Sequence, residues 1–304
     1  MTPHDEGNPQ QFPTPLIETV FGNRSQTWAK GIQDLSLDLD GYHYKFYDTQ
    51  EWKQILEGSV SEGMRIYWRE MLLRAHQASS TSIVRGLRWL QTVDSGLNSR
   101  NLLCVAAGLR GLLESAGDVF AALSNVPRNL AQNAPRIAEA LRGEAVICSG
   151  CQELEDCLVH YAFATKLPGK KEPSVFAALP LTKYLAGMKG ESQEDILKLY
   201  RRLCEWVHPS MSSVWAWMSG ESELASSLCV KSDERLIAVL AQEFRQLLPK
   251  IPMLALNPGI VTLAVLNRVG TSDMQTKRLD TWDLGQIALW GECSALLESG
   301  STRN

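Results

Sequence analysis

The helical stretch that starts after Asn98 and runs to about Leu123 constrains the fold of this chain more than any other. Its apolar residues, Leu102, Leu103, Val105, Leu109, Leu112, Leu113, Val119, Phe120 and Leu123, fall on nearly every side of a helix rather than on one stripe. A helix with so little polar surface needs other helices around it, so it predicts the buried centre of a helical bundle. Asn98 is a good residue to cap its start. Its charged residues, Arg110, Glu114 and Asp118, recur at i, i+4 and i+8, in one stripe. Charge beside a core is costly unless compensated. Arg110 and Glu114 therefore either satisfy one another or face a functional cavity.

Helical periodicity runs through most of the remaining chain. Glu51–Gln77 reads as helical with interruptions near Gly58 and Gly63, and Ser82–Thr92 as a separate short helix closed by Asp94-Ser95-Gly96. Pro135–Leu141, Glu153–Leu167, Val175–Met188, Gln193–His208 and Asp233–Leu248 follow, with a last helix from Pro258 to Val269 capped by Asn257. The aromatic patch Tyr42–Tyr47 fits a strand or a loop, and no strand-like alternation is expected after it. The predicted fold is all-α, a helical bundle with additional flanking helices and a disordered N-terminal tail. Residues 1–15, rich in Pro, Gln, Asn and Gly, form the tail. Residues 16–50 form an N-terminal extension, 51–270 the helical domain, and 271–304 an amphipathic C-terminal segment.

The 44% hydrophobic and 21% charged content is that of an ordinary soluble globular protein, and a net charge of −4 gives no global electrostatic case for nucleic acid. The charge is unevenly spread. From Met64 to Arg142 there are ten arginines and no lysine, against five acidic residues. Arginine forks suit phosphate, although a solvated helix face carries a similar excess. Seven cysteines without framework spacing argue for reduced thiols and a cytoplasmic protein. The N-terminus lacks the basic start and apolar core of a signal peptide. Ile251–Leu266, broken by Pro252 and Asn257-Pro258-Gly259, is expected to be too short to span a bilayer.

Cys148, Cys151, Cys157 and His160 supply four zinc-type ligands close together. Cys157 and His160 fall inside a helical pattern, however, and cysteine is also an ordinary buried residue. Structural cysteines are the main expectation, zinc the alternative, and no cofactor is expected. No phosphate loop, Gly-x-Ser-x-Gly elbow or HExxH is present.

Chemistry concentrates instead in Ile196–Ser210. Leu199, Leu203 and Val207 recur at helical spacing, and Pro209 should end the helix near His208. Arg201 and His208, two turns apart, share one face, while Arg202 is rotated off it. Glu205 can pair with either Arg201 or His208. A cation and a titratable base on one face can do chemistry; a capped helix end with a surface ion pair is the plainer reading.

Arg201 to His208 is R-x6-H and Arg202 to His208 is R-x5-H, a pattern that resembles the R-x4-6-H motif of the HEPN superfamily. The segments Leu199–Ser210, Leu109–Ser115 and Glu153–His160, in that combination, are similar to a bacterial HEPN-like family over roughly Glu51–Val269. The resemblance implies an α-helical bundle, commonly dimeric, with metal-independent endoribonuclease activity in active members. It also implies a place in toxin–antitoxin or antiviral defence, with RNA as substrate and an antitoxin or other protein as partner. His208 would be the general acid/base for 2′-hydroxyl attack, and Arg201 or Arg202 would bind the phosphate. Arg110 and Glu114 would position that pair. Active members usually carry a small polar residue after the motif arginine, whereas Arg202 precedes Leu203. The alternative is a catalytically inactive HEPN-like binding or regulatory module.

Overall fold

The computed structural model describes residues 12–166, 173–188, 193–222 and 225–301. In chain order its helices are α1 (Glu18–Phe21), α2 (Ser25–Asp38), α3 (Thr49–Gly58), α4 (Val60–Asn98), α5 (Leu102–Leu123), α6 (Val126–Gln132), α7 (Ala134–Leu141), α8 (Gln152–Phe163), α9 (Leu181–Ala186), α10 (Gln193–Val207), α11 (Met211–Trp215), α12 (Ser232–Glu243), α13 (Ile251–Val269) and α14 (Ala288–Ser301). Of the described residues 74% are helical, about twice the usual share for a globular protein, so the fold is an all-α bundle. It also holds an antiparallel hairpin, β1 (Met218–Ser222) with β2 (Ala225–Leu228), where no strand was expected. Neither strand carries apolar alternation, and β2 is exposed throughout, so periodicity had nothing to register.

Three expected helix boundaries move, each for a local reason. Glu51–Thr92 is not several short helices: α3 ends at Gly58, Ser59 is extended, and α4 then runs unbroken for 39 residues. Within its Ser/Thr run the hydroxyls bond back into the helix, Thr81 Oγ1 to the Gln77 carbonyl at 2.8 Å and Ser82 Oγ to the Ser79 carbonyl at 2.7 Å. Asn257 does not start a helix, since α13 begins at Ile251 and carries Pro258 inside it. With the preceding turn, Leu248–Val269 is therefore a continuous stretch long and apolar enough to cross a membrane, although most of it is buried. Val175–Met188 becomes a 3-10 turn, Ser174–Phe176, followed by α9, which begins just after Pro180, a residue that disfavours helix at the position before it. Residues 1–11 of the expected tail lie outside the described residues. Phe12–Pro15 are described, with Pro13 buried and Thr14 bonded to Asp94.

The chain divides into two compact units. One comprises the residues up to Asp34, Leu87–Leu113 and Glu194–Pro252. In it the end of α4 and the start of α5 form an antiparallel hairpin whose close approach depends on glycine. A Cβ on Gly96 would lie 2.7 Å from the Val105 nitrogen, and one on Gly108 2.9 Å from that of Val93. Asn101, not Asn98, caps α5, its Oδ1 accepting from the Cys104 N–H at 3.0 Å. Asp233, at the start of α12, accepts from the Leu102 N–H at 2.8 Å and from the Trp217 indole at 2.6 Å. Asn98 instead donates to Thr14 Oγ1 at 3.1 Å. Thr14 Oγ1 in turn donates to Asp94 Oδ1 at 2.7 Å.

Gly108→Ala opposes two effects of known sign. Alanine favours a helix by about 1 kcal/mol, while forcing a methyl into this hairpin costs roughly 1–3 kcal/mol. Because the obstructing atom is backbone, packing should win, and the urea midpoint should fall. An unchanged or higher midpoint would show that the two helices separate without cost.

The second unit comprises Leu35–Gly86, Glu114–Gln193 and the residues from Met253. Here α13 crosses α4 at glycines: a Cβ on Gly259 would lie 2.6 Å from Ser82 Oγ, and one on Gly86 2.9 Å from Leu256 Cδ2. Trp68 is fully buried in this unit, with no acceptor for its indole N–H among the described residues. Residues Tyr42–Tyr47 are a loop rather than a strand. Tyr42 stacks on the buried His76 with ring centroids 4.3 Å apart, and the Tyr44 hydroxyl lies 2.8 Å from His76 Nδ1. The C-terminal segment folds as two 3-10 turns and α14, which the Arg128–Glu292 ion pair ties to α6.

Candidate functional site

α10 is amphipathic, and Ile196, Leu199, Leu203 and Trp206 form its buried stripe. The apolar anchor of its last turn is Trp206 rather than Val207, which turns His208 towards solvent. The His208 N–H still closes a helical bond to the Cys204 carbonyl at 2.9 Å, and Pro209 then stops the helix. Ser210 starts α11 with a reciprocal capping box to Ser213, and its hydroxyl also donates to the Glu205 carbonyl. His208 is thus held between one helix end and the next helix start, with its imidazole exposed.

The imidazole meets Arg110. Arg110 Nη1 lies 2.6 Å from His208 Nε2, and the Arg110 guanidinium sits 5.9 Å from the centroid of the Tyr200 ring. An arginine nitrogen can only donate, so Nε2 is the acceptor and the ring proton is on Nδ1. Of the sequence-predicted residues, then, the fold brings together His208, just past the end of α10, and Arg110 on α5.

Among the described residues the His208 ring meets Arg110, and not Arg201, Arg202 or Glu205. Arg201 is exposed and has no hydrogen-bond or ion-pair partner among the described residues. Arg202 leans over the Trp206 ring at 5.9 Å and approaches Glu205 at 3.9 Å, a loose surface pair. Glu205 accepts a second contact from Ser212 Oγ at 3.3 Å. Glu114 is half-buried, one turn beyond Arg110 on α5. Tyr200 was not singled out from the sequence; its spacing of eight from His208, on the same helical face, was the available signal.

The arginine-rich run does not make an open cationic surface. Arg65, Arg69, Arg74, Arg85, Arg100, Arg128 and Arg142 each pair with a carboxylate: Glu62, Asp273, Glu70, Asp118, Glu234, Glu292 and Glu144 respectively. Nor do the zinc-type residues converge: among the described residues no three of His, Cys, Asp or Glu are arranged to hold a metal ion. His160 has both ring nitrogens engaged, Nδ1 with the Val175 carbonyl at 2.8 Å and Nε2 with the Tyr184 hydroxyl at 2.9 Å. Burial pushes the Cys157 thiol up to about 11, with Glu153 and Asp156 adding to it, so it is a poor source of thiolate.

The fold is thus an all-α bundle that brings an arginine and a histidine together at an exposed surface. No family model matches the chain, and neither does any curated protein or solved structure.

Proposed function

We propose that this chain cleaves RNA at the exposed end of α10, in the manner of HEPN-like endoribonucleases and without a metal ion. The observation that carries the reading is the 2.6 Å contact between Arg110 and His208, a fixed cation beside a titratable base at an exposed surface. A phosphodiester arriving there competes for the guanidinium, whose fork matches phosphate oxygens better than an imidazole nitrogen. Once Arg110 swings onto the phosphate, Nε2 is free to take the 2′-hydroxyl proton. The 2′ oxygen attacks the adjacent phosphorus, the bond to the 5′ oxygen breaks, and the imidazolium returns its proton to that leaving oxygen. Arg201 supplies a second cation for the charge that develops. The setting this reading implies is defence or stress, with a partner protein or a second copy restraining the activity.

The direct test is incubation of purified protein with a mixed RNA substrate in excess chelator. Fragments ending in 2′,3′-cyclic phosphate are expected. A folded sample that leaves the RNA intact overturns the reading. The second reading, a binding module with no catalysis, is favoured by the same contact, because Arg110 occupies the lone pair a base would need. RNA bound but uncut, or tight capture of a protein at this face, would establish it.

A further inference from the structure

Away from α10, the second unit holds a cavity of about 460 Å³ that the proposed cleavage does not use. Trp52, Tyr67, Phe163, Phe176 and Tyr47 wall it, and Glu155 lines it. The two innermost rings are fixed. The Trp52 indole donates to the Gly63 carbonyl at 3.1 Å, and the Tyr67 ring lies tilted against it with centroids 6.4 Å apart. The Tyr67 hydroxyl donates to Glu155 Oε1 at 2.6 Å and accepts from the Cys151 N–H at 2.7 Å. Burial, with the Glu155 contact adding to it, pushes the Tyr67 phenol well above its ordinary value, so Tyr67 keeps its proton.

Among the described residues the charges of this cavity do not cancel. Glu70 and Arg74, also in its lining, neutralise one another, and the Arg74 guanidinium is covered by the Phe46 ring at 4.4 Å. Among the described residues Glu155 is held by the Tyr67 hydroxyl and by no cation. A carboxylate with no counter-charge beside aromatic rings repels anions and attracts cations. Aromatic faces attract a positive charge that sheds water easily, as organic ammonium groups do.

We propose that this cavity binds a small organic cation, a quaternary or methylated ammonium group lodged between Trp52 and Tyr67 and against Glu155. The inference is independent of the RNA reading, since every residue it uses lies in the other unit.

The test is isothermal titration of the full chain with choline and with 3,3-dimethylbutan-1-ol, its uncharged counterpart of the same shape. Choline should bind, and the alcohol should bind at least about tenfold more weakly. Glu155→Gln, which keeps an acceptor for Tyr67, should weaken choline by about tenfold and narrow the gap between the two probes. Phe163→Ala, at a ring 55% exposed and therefore outside the core, should also weaken choline. Equal binding of the two probes would overturn the proposal by making the site merely apolar. So would no binding of choline or tetramethylammonium at millimolar concentration.

Discussion

A His208→Ala variant is expected to cut RNA about 10²–10⁴-fold more slowly than the parent chain while keeping its urea midpoint, the range of a lost general acid/base. The fold should not suffer, because the imidazole is exposed and the bond to the Cys204 carbonyl belongs to the backbone. Arg110→Ala should cost about 10²–10³-fold, as expected for one lost transition-state donor. Arg110→Lys should recover only part of that, because an ammonium does not fork onto two phosphate oxygens. If the two residues act as one device, the double variant should be scarcely worse than His208→Ala alone. Multiplying effects would mean that they act separately. Cutting that survives in His208→Ala removes the site assignment.

The second large effect concerns stability and pH. His76 is 2% exposed, and burial lowers its pKa to about 4, with Asp273 opposing in part. In the unfolded chain it should titrate near 6.5. A depressed folded pKa means that the neutral ring contributes fully above about 6.5. As pH falls towards 4 the unfolded state takes up a proton that the folded state refuses, and roughly 3 kcal/mol is lost. Comparing urea unfolding of wild type with His76→Gln at pH 7, 5.5 and 4.5 isolates the contribution, since the glutamine does not titrate. The difference between the two should shift steadily against wild type on acidification. Parallel curves would show that His76 is protonated in the fold. The variant also removes ambiguity from Asp94, whose carboxyl burial raises and whose effect on stability therefore runs in the opposite direction.

What the sequence made legible follows from the range of the interactions involved. The all-round apolar pattern of Leu102–Leu123 did mark a buried helix, with Leu102, Leu109, Leu112 and Leu113 fully enclosed, although Leu103 is 42% exposed. The stop at Pro209 was local chemistry and readable as such. Breaks were over-read wherever a local breaker has a distant partner. Gly96 stays within the last turn of α4, against Val105, and Pro258 is tolerated within α13. In the site, the spacing of Arg201 and His208 described only their own helix. The guanidinium that reaches the imidazole comes from 98 residues earlier, through a tertiary contact that no periodicity encodes. The same holds for the cavity of the second unit, whose Tyr67 and Glu155 are 88 residues apart.

Asp233 adds a consequence for that first site. One of its oxygens holds the start of the helix that carries Arg110, and the other holds Trp217, nine residues beyond His208. Chain, carboxylate and indole therefore close a ring in which guanidinium and imidazole are neighbouring links. Closure of this kind acts as a raised local concentration: the two groups meet without paying again for the entropy of finding each other. A ligand that pries them apart still leaves them tethered, so the pair can re-form once the ligand departs.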